Sequence, residues 1–180
     1  MKKSCLILFA FVAFSISSCK NSTQQNEPEV VTVATTVSET YELAKTEAEF
    51  NDPQIAAIFN QYLQVEAALV NTDAEKTVAE AAKLQALVET AEVDAAAKSA
   101  IAAMAESNDI EVQRTHFQAV STGLEAMLVG TLTSGTLYKQ YCPMAFNNTG
   151  AYWISSSKDI LNPYFGDKML KCGRVAAEVK

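Results

Sequence analysis

The sequence has few of the residues on which common catalytic sites depend, with one histidine, His116, and one tryptophan among 180 residues. No Gly-x-Ser-x-Gly turn accompanies that histidine, so a serine-type triad is not supported. A glycine-rich loop for phosphate and a Cys-x-x-Cys motif for thiol redox chemistry are also missing. The carboxylates are scattered over predicted helix surfaces without a pairing pattern. We therefore predict that the protein is not an enzyme.

Positive charge is also scarce. The chain has 14 lysines and arginines against 21 aspartates and glutamates, which gives a formal net charge of −7. A nucleic-acid-binding protein needs a basic footprint to neutralise phosphates. The sequence therefore predicts no nucleic-acid partner.

The N-terminus has the pattern of a bacterial targeting segment. Two lysines precede an apolar stretch, Leu6–Phe14, that is too short to span a bilayer. Ile16-Ser17-Ser18-Cys19 then resembles a lipobox, which predicts a lipoprotein signal peptide at residues 1–18 and lipidation of Cys19. The alternative is an ordinary cleaved signal peptide with an incidental cysteine. On the first interpretation the protein is a periplasm-facing lipoprotein of the bacterial cell envelope, anchored to the membrane by its lipid, where disulfides are permitted.

The rest of the chain divides into a tether and one domain. Residues 20–51 are polar and acidic with no helical stripe, so we predict a lipidated cysteine and flexible tether over residues 19–51. Val30–Val37 could form a strand, but it has no evident partner, and a linker is favoured. Residues 52–176 are predicted to form a helical bundle followed by a tail rich in cysteine and methionine.

Helical periodicity dominates the middle of the chain. Asn51-Asp52-Pro53 is a helix start signal, and apolar residues then recur at spacings of three and four. Thr72 with Glu75, and Asn108 with Glu111, have the spacing of capping boxes for two later helices. A further helix is predicted from about Val93, either separate from the one before it or continuous with it. These signals predict an all-α fold, an antiparallel four-helix bundle.

After Gly130 the helical period is lost, and most of the large aromatic residues follow. A disordered segment would be poor in such residues. We therefore predict an ordered, loop-rich tail that packs on the bundle and buries Trp153.

Four sulfur-bearing residues lie close together in this tail. Cys142 and Met144 are two residues apart, and Met169 and Cys172 are three apart, a spacing that one helical turn brings to one side. If the chain reverses at Asn162-Pro163, the two pairs can meet as a site of two to four sulfurs. Thiolate and thioether are soft ligands that suit copper(I). A closed structural zinc site would need four cysteine or histidine ligands.

The residues alone leave other interpretations open. With Cys5 in the predicted signal peptide and Cys19 lipidated, Cys142 and Cys172 must pair, bind metal or stay free. A disulfide across this loop would contribute about 3–4 kcal/mol in the chain-entropy model. The two methionines would then fill gaps in the core. The same two cysteines could also bind metal when they are reduced and form a disulfide when they are oxidised.

His116 lies at the border of the apolar stripe of the fourth predicted helix. It is either a half-buried packing residue or, if the tail crosses the middle of that helix, a nitrogen ligand.

Longer motifs in the tail resemble domain of unknown function 3347, a family common in Bacteroidetes and often found there as small lipoproteins. The resemblance extends over about Gln54 to Val175 and includes a motif of the last helix, Gln113-Arg114-x-His116-Phe117. The tail motifs are Tyr141-Cys142-Pro143-Met144-Ala145-Phe146, Gly150-Ala151-x-Trp153-x-Ser155 and Ile160-x-Asn162-Pro163-Tyr164-Phe165-Gly166-x-x-Met169-Leu170-x-Cys172-Gly173.

The resemblance implies a role in metal handling, because similar domains occur fused to adaptor subunits of copper- and silver-type heavy-metal efflux pumps. By motif it implies metal ligands at Cys142, Met144, Met169, Cys172 and His116, with copper(I) as the ion. The chain lacks the hairpin, lipoyl-like and barrel regions of those adaptors. The implied function is therefore a free-standing copper(I)-binding lipoprotein, a metallochaperone or efflux accessory with a heavy-metal efflux system as partner. The alternative is a non-enzymatic structural or interaction lipoprotein with a Cys142–Cys172 disulfide and no metal.

Overall fold

The computed structural model describes residues 40–180, and its larger part is helical. Four long helices occur where the periodicity predicts them, and the third is separate from the second. Their bounds are α1 Pro53–Val70, α2 Ala74–Val88, α3 Ala95–Glu106 and α4 Ile110–Leu128.

An aspartate caps the start of each of these helices. Its side chain accepts a hydrogen bond from a backbone N–H of the first turn, which satisfies a donor that has no partner within the helix. The capping boxes were predicted one residue too early for α2 and α4, where Thr72 and Asn108 were expected to cap. The four capping residues are Asp52, Asp73, Asp94 and Asp109.

The helices pack in chain order, each against the next, and α1 also contacts α4. The end of α1 lies near the start of α4, since Arg114 donates a hydrogen bond to the carbonyl of Leu69. Helices α3 and α4 approach closely at Gly123, where an added Cβ would lie 2.4 Å from the Cβ of Ala97. Phe59, Tyr62 and other residues of α1 are fully buried at the centre of the core.

The prediction of a purely all-α fold is wrong, because residues 40–180 also contain five strands in two small antiparallel sheets. One sheet pairs β1 with β2, and the other has the order β4-β3-β5. The strands are short, and their pairing is set by contacts that are distant in sequence, which helical periodicity does not register. The strands are β1 Glu49–Phe50, β2 Leu132–Ser134, β3 Leu137–Cys142, β4 Ala151–Ser155 and β5 Arg174–Val179.

The tail is ordered and buries Trp153, as predicted, but it does so as a sheet. Trp153 is fully buried, and Ile154 beside it is 1% exposed. The backbone N–H of Ile154 donates to the hydroxyl of Tyr62 on α1, which also shares a hydrogen bond with Ser121 on α4. The three-stranded sheet is thereby fixed to both helices.

Residues 40–51 contact the domain, although the tether was predicted to reach residue 51. The side chain of Asn71 exchanges two hydrogen bonds with the backbone of Tyr41, each of 2.8 Å. The Phe50 ring lies 5.7 Å from the ring of Phe59. The folded unit therefore begins earlier than predicted. The predicted signal peptide, Cys19, the Val30–Val37 segment and the rest of the tether lie outside the described residues.

Within residues 40–180, no helix combines the length and the apolar character needed to cross a membrane.

Candidate functional site

The pairing of β3 with β5 brings the two cysteines of the tail together. Tyr141 pairs with Arg174, so Cys142 at the end of β3 faces the chain just before β5, where Cys172 lies. The two Sγ atoms are 3.6 Å apart, and both thiols are free. Gly173 has a φ of 152°, and a Cβ there would lie 3.0 Å from the Trp153 ring and 3.1 Å from the carbonyl of Tyr141. Glycine therefore favours the close packing of this segment on β3 and Trp153.

Asn162 holds the loop that carries Cys172. Its side-chain amide donates to the carbonyl of Cys172 at 2.7 Å, and its Oδ1 accepts from the N–H of Tyr164 at 2.8 Å. Its own N–H donates to the carbonyl of Leu170 at 2.9 Å. Asn162 is fully buried, so these bonds are shielded from water. In the sequence a chain reversal at Asn162-Pro163 was the condition for the two pairs to meet, and nothing there indicated that Asn162 positions a thiol.

The thiol pair lies in a largely apolar environment. Cys142 is fully buried, and Cys172 is partly buried beside it. Burial raises the pKa of the Cys172 thiol, and the neighbouring Cys142 raises it further. Reactive thiols in oxidoreductases have lowered pKa values. The raised pKa of Cys172 disfavours its thiolate, the form that acts both as a nucleophile and as a metal ligand.

The two methionines of the motif line a surface cleft with a volume of about 470 Å³. Met144 is 44% exposed and Met169 is partly buried. Neither Cys142 nor Cys172 is among the residues that line this cleft. The structure therefore brings the two thiols together, whereas the two methionines line a cleft to which neither cysteine contributes.

One wall of the cleft is a left-handed turn. Phe146, Asn147 and Asn148 have positive φ angles of 50°, 56° and 67° in succession. Asparagine tolerates this conformation, but for phenylalanine it costs about 1–2 kcal/mol. The Phe146 ring packs edge-on against Tyr164, with centroids 5.4 Å apart. Strain of this kind persists where surrounding contacts fix the backbone, and it often marks a functional site.

The cleft is also lined by Arg114, which is 2% exposed. Its guanidinium donates to the carbonyl of Pro163 at 3.0 Å and to the hydroxyl of Thr72 at 3.1 Å. It also forms a salt bridge of 2.8 Å with Glu111, whose carboxylate is mostly exposed. Arg114 thus joins α1, α4 and the tail. The sequence included it in the family motif but did not indicate this structural role.

His116 is partly buried on α4 and does not line the cleft. Within the part of the chain that the structure describes, no three histidine, cysteine, aspartate or glutamate side chains group closely enough to hold a metal ion. His116 therefore does not join Cys142 and Cys172, in contrast to its predicted role as a fifth ligand. Its position on α4 and the pairing of β3 with β5 place these residues apart.

A buried carboxyl was missed by sequence reasoning. Glu66 on α1 is fully buried, and neither of its oxygens has a hydrogen-bond partner among the described residues. Burial raises the pKa of Glu66 well above its ordinary value. Burial and the nearby Glu66 also raise the pKa of Tyr62, one helical turn earlier. The available signal was its spacing, because Glu66 is four residues after Tyr62 and three before Leu69 on the apolar stripe.

Residues 58–135 match the family described as "Protein of unknown function (DUF3347)". This match confirms the predicted resemblance over the helical region, including the motif around His116, and it ends before the tail motifs. None of the curated proteins compared with the chain matches it, and none of the solved structures does.

Proposed function

We propose that this protein is a cell-envelope lipoprotein that binds a soft metal ion, copper(I) being the ion that its donors fit best. The observation that carries the proposal is the 3.6 Å separation of the Cys142 and Cys172 sulfurs. Two thiolates at this separation can bind one ion with little movement of the backbone. Met144 and Met169 add thioether donors on the adjoining cleft.

The donor set favours copper(I) over harder ions. Sulfur ligands select copper(I), whereas calcium and magnesium prefer oxygen ligands. A closed zinc site would take four cysteine or histidine ligands, and His116 does not lie with the thiol pair. The positions of Cys142 and Cys172 are held by the sheet and by Asn162, which favours a site whose geometry exists before the ion arrives.

The biological role we propose is that of a metallochaperone or an accessory of heavy-metal efflux. It rests on the lipobox at Cys19, which would keep the domain at the periplasmic face of a membrane, and on the resemblance to domains fused to efflux adaptors. A heavy-metal efflux system is the proposed partner.

Titration of the reduced protein with copper(I) under anaerobic conditions tests this proposal. We expect one tightly bound ion in the parent and a loss of affinity of at least about tenfold in Cys142→Ser and Cys172→Ser, because each change removes one of two thiolate ligands. Trp153 lies beside Gly173 and offers a fluorescence signal near the site. Met127→Leu on α4, at a methionine that lines a different cleft, is the matched control and should bind as the parent does. Equal affinity of the parent and Cys142→Ser would contradict the proposal.

A second candidate is a structural or interaction lipoprotein with a Cys142–Cys172 disulfide. It is favoured by the same proximity, since the two sulfurs need only close from 3.6 Å to the bond length of about 2.05 Å. Counting free thiols in protein purified without reductant separates the two candidates. The disulfide predicts no free thiol from these residues and no bound metal, whereas the copper(I) site predicts reactive thiols or bound metal.

A further inference from the structure

We propose that one face of the three-stranded sheet is a docking surface for an acidic segment of a partner protein. The surface is a row of two tyrosines between two cations, which we call the cation–tyrosine ladder. Its members are Arg174, Tyr141, Tyr152 and Lys139. Docking here requires no bound ion, so it is a property separate from the proposed copper(I) site.

Strand pairing places the side chains of the ladder next to one another. Tyr141 on β3 pairs with Tyr152 on β4 and with Arg174 on β5. The centroids of the two tyrosine rings are 4.5 Å apart. The guanidinium carbon of Arg174 lies 5.3 Å from the centroid of Tyr141, and the Nζ of Lys139 lies 4.5 Å from that of Tyr152. The ladder is therefore one continuous row across three strands.

The ladder is accessible to a partner. Tyr152 is 42% exposed, although Trp153 beside it is fully buried. Arg174 is exposed, and Tyr141 is half-buried. Tyrosine and arginine are enriched among the residues that contribute most to protein–protein binding, because each combines a large contact area with a polar end. The contacts within the row hold these side chains in place, which lowers the entropy lost on binding.

The charge available to a partner is that of Arg174. Lys139 at the other end is paired with Glu125 at 2.7 Å, whereas Arg174 forms no salt bridge with another described residue. Lys168 and Lys171, in the segment that leads into β5, are exposed and also form none. An exposed guanidinium presents a fork of N–H donors that matches a carboxylate. The surface is therefore complementary to acidic side chains.

The charge balance favours an acidic protein over other anionic partners. Residues 166–174 contain three cations and one acid, Asp167, in a chain with a formal net charge of −7. Recruitment to anionic lipid takes clusters of about four to eight basic residues. Each ring of the ladder already has a cation over it and packs on the other ring, so neither offers a free face for stacking with a nucleic-acid base. A small positive surface on an acidic protein instead fixes the orientation in which an acidic partner approaches.

Titration of the isotope-labelled protein with a short peptide of alternating glutamate and serine, followed by NMR, tests this proposal. The protein is reduced and free of copper, so the result does not depend on metal binding. We expect the peptide to shift the backbone resonances of Tyr141, Tyr152 and Arg174. In Arg174→Glu the Kd should rise at least about fivefold, because the new carboxylate repels the peptide. Lys76→Glu, which reverses an exposed charge on α2, is the matched control and should bind the peptide as the parent does.

Three results would overturn the docking surface. Equal Kd values for the parent and Arg174→Glu would show that the ladder does not bind the peptide. Sedimentation of unlipidated Cys19→Ser protein with vesicles of phosphatidylglycerol and phosphatidylcholine, without any binding of the peptide, would indicate a lipid surface instead. Self-association that is lost in Arg174→Glu would indicate a second copy of this chain. Failure of the proposed function has a different signature, because copper(I) titration would then show no bound ion while the peptide still bound.

Discussion

Glu66 shows how one buried carboxyl makes the stability of the fold depend on pH. Its carboxyl is fully buried on α1 without a hydrogen-bond partner among residues 40–180. Burial of a carboxyl without a compensating bond disfavours its charged form. The folded state therefore keeps the proton, whereas the unfolded state releases it near the ordinary value of 4.5.

This difference predicts that the contribution of Glu66 to the free energy of unfolding falls as the pH rises. Because the pKa of Glu66 is raised in the folded state, its contribution is fully present below pH 4.5 and declines above it toward the folded-state pKa. The slope approaches about 1.4 kcal/mol per pH unit. In Glu66→Gln the group cannot ionise, so the variant should gain stability relative to the parent as the pH is raised. Urea unfolding between about pH 4 and pH 8 measures this gain.

The matched control is Glu92→Gln, which changes an exposed carboxyl between α2 and α3. Its stability should follow that of the parent at every pH. If the Glu66→Gln and parent curves also run parallel, the carboxyl of Glu66 does not have a raised pKa in the folded protein.

Glu66 also shows what the apolar pattern of α1 does not predict. The stripe of α1 predicts that Tyr62 and Leu69 are buried, and both are. Glu66 lies on that stripe, but a carboxylate there is expected at a surface, so its burial was not predicted. The capping positions were off by one residue for α2 and α4 for a related reason. Adjacent polar residues at a helix start are equally good caps, and only the backbone conformation decides between them.

At the scale of elements, α3 and α4 approach each other closely at Gly123. A Cβ at this position would lie 2.4 Å from the Cβ of Ala97 and 3.5 Å from that of Asp94. Both neighbouring atoms are fixed to the backbone of α3, so no side-chain rotation can relieve the contact. The two helices can pack at this distance only because residue 123 is glycine.

We therefore predict that Gly123→Ala destabilises the protein by about 1–2 kcal/mol, since overpacking outweighs the better helix propensity of alanine. In an Ala97→Gly background the clash is removed, and Gly123→Ala should become neutral or stabilising. Denaturant unfolding of the four proteins in this double-mutant cycle gives the coupling. A coupling close to zero would mean that the helices do not meet at these residues.

The elements differ in how far the sequence predicts them. The four helices follow from apolar spacing, start signals and alanine content, all of which are local. The strands were not predicted, because β4 has the sequence Ala-Tyr-Trp-Ile-Ser, in which buried residues do not alternate with exposed ones. Its place beside β3 depends on pairing such as Gln140 with Trp153, which local patterns do not contain.

At the scale of the whole molecule, the candidate site depends on contacts between distant segments. The sequence predicted that Cys142 and Cys172 can meet if the chain reverses at Asn162-Pro163, and their sulfurs lie 3.6 Å apart. It did not separate the thiols from the methionines on the cleft, because that separation follows from the pairing of β3 with β5 and from the hydrogen bonds of Asn162. The sequence also did not show that His116 lies apart from Cys142 and Cys172. The distance of His116 from the two cysteines depends on where the tail crosses the helices.

The segment before α1 belongs to this long-range network. Tyr41 is bound by Asn71 from the end of α1, and the N–H of Asn51 donates to the carbonyl of Thr131 at 2.9 Å. Leu43 and Phe50 pack against the core, and β1 pairs with β2. These contacts tie the start of the domain to the chain that follows α4.

We therefore predict that a protein starting at residue 52 is less stable than one starting at residue 40, by at least about 2 kcal/mol, because Leu43 and Phe50 lose their apolar contacts. Leu43→Ser/Phe50→Ser in the longer protein should reproduce most of this loss at unchanged length. Thermal and urea unfolding of the three proteins measure the difference. Equal stability of the two lengths would mean that residues 40–51 act as the tether the sequence predicted. The domain would then begin at α1, and the contacts of Tyr41 with Asn71 would contribute nothing to its free energy of unfolding.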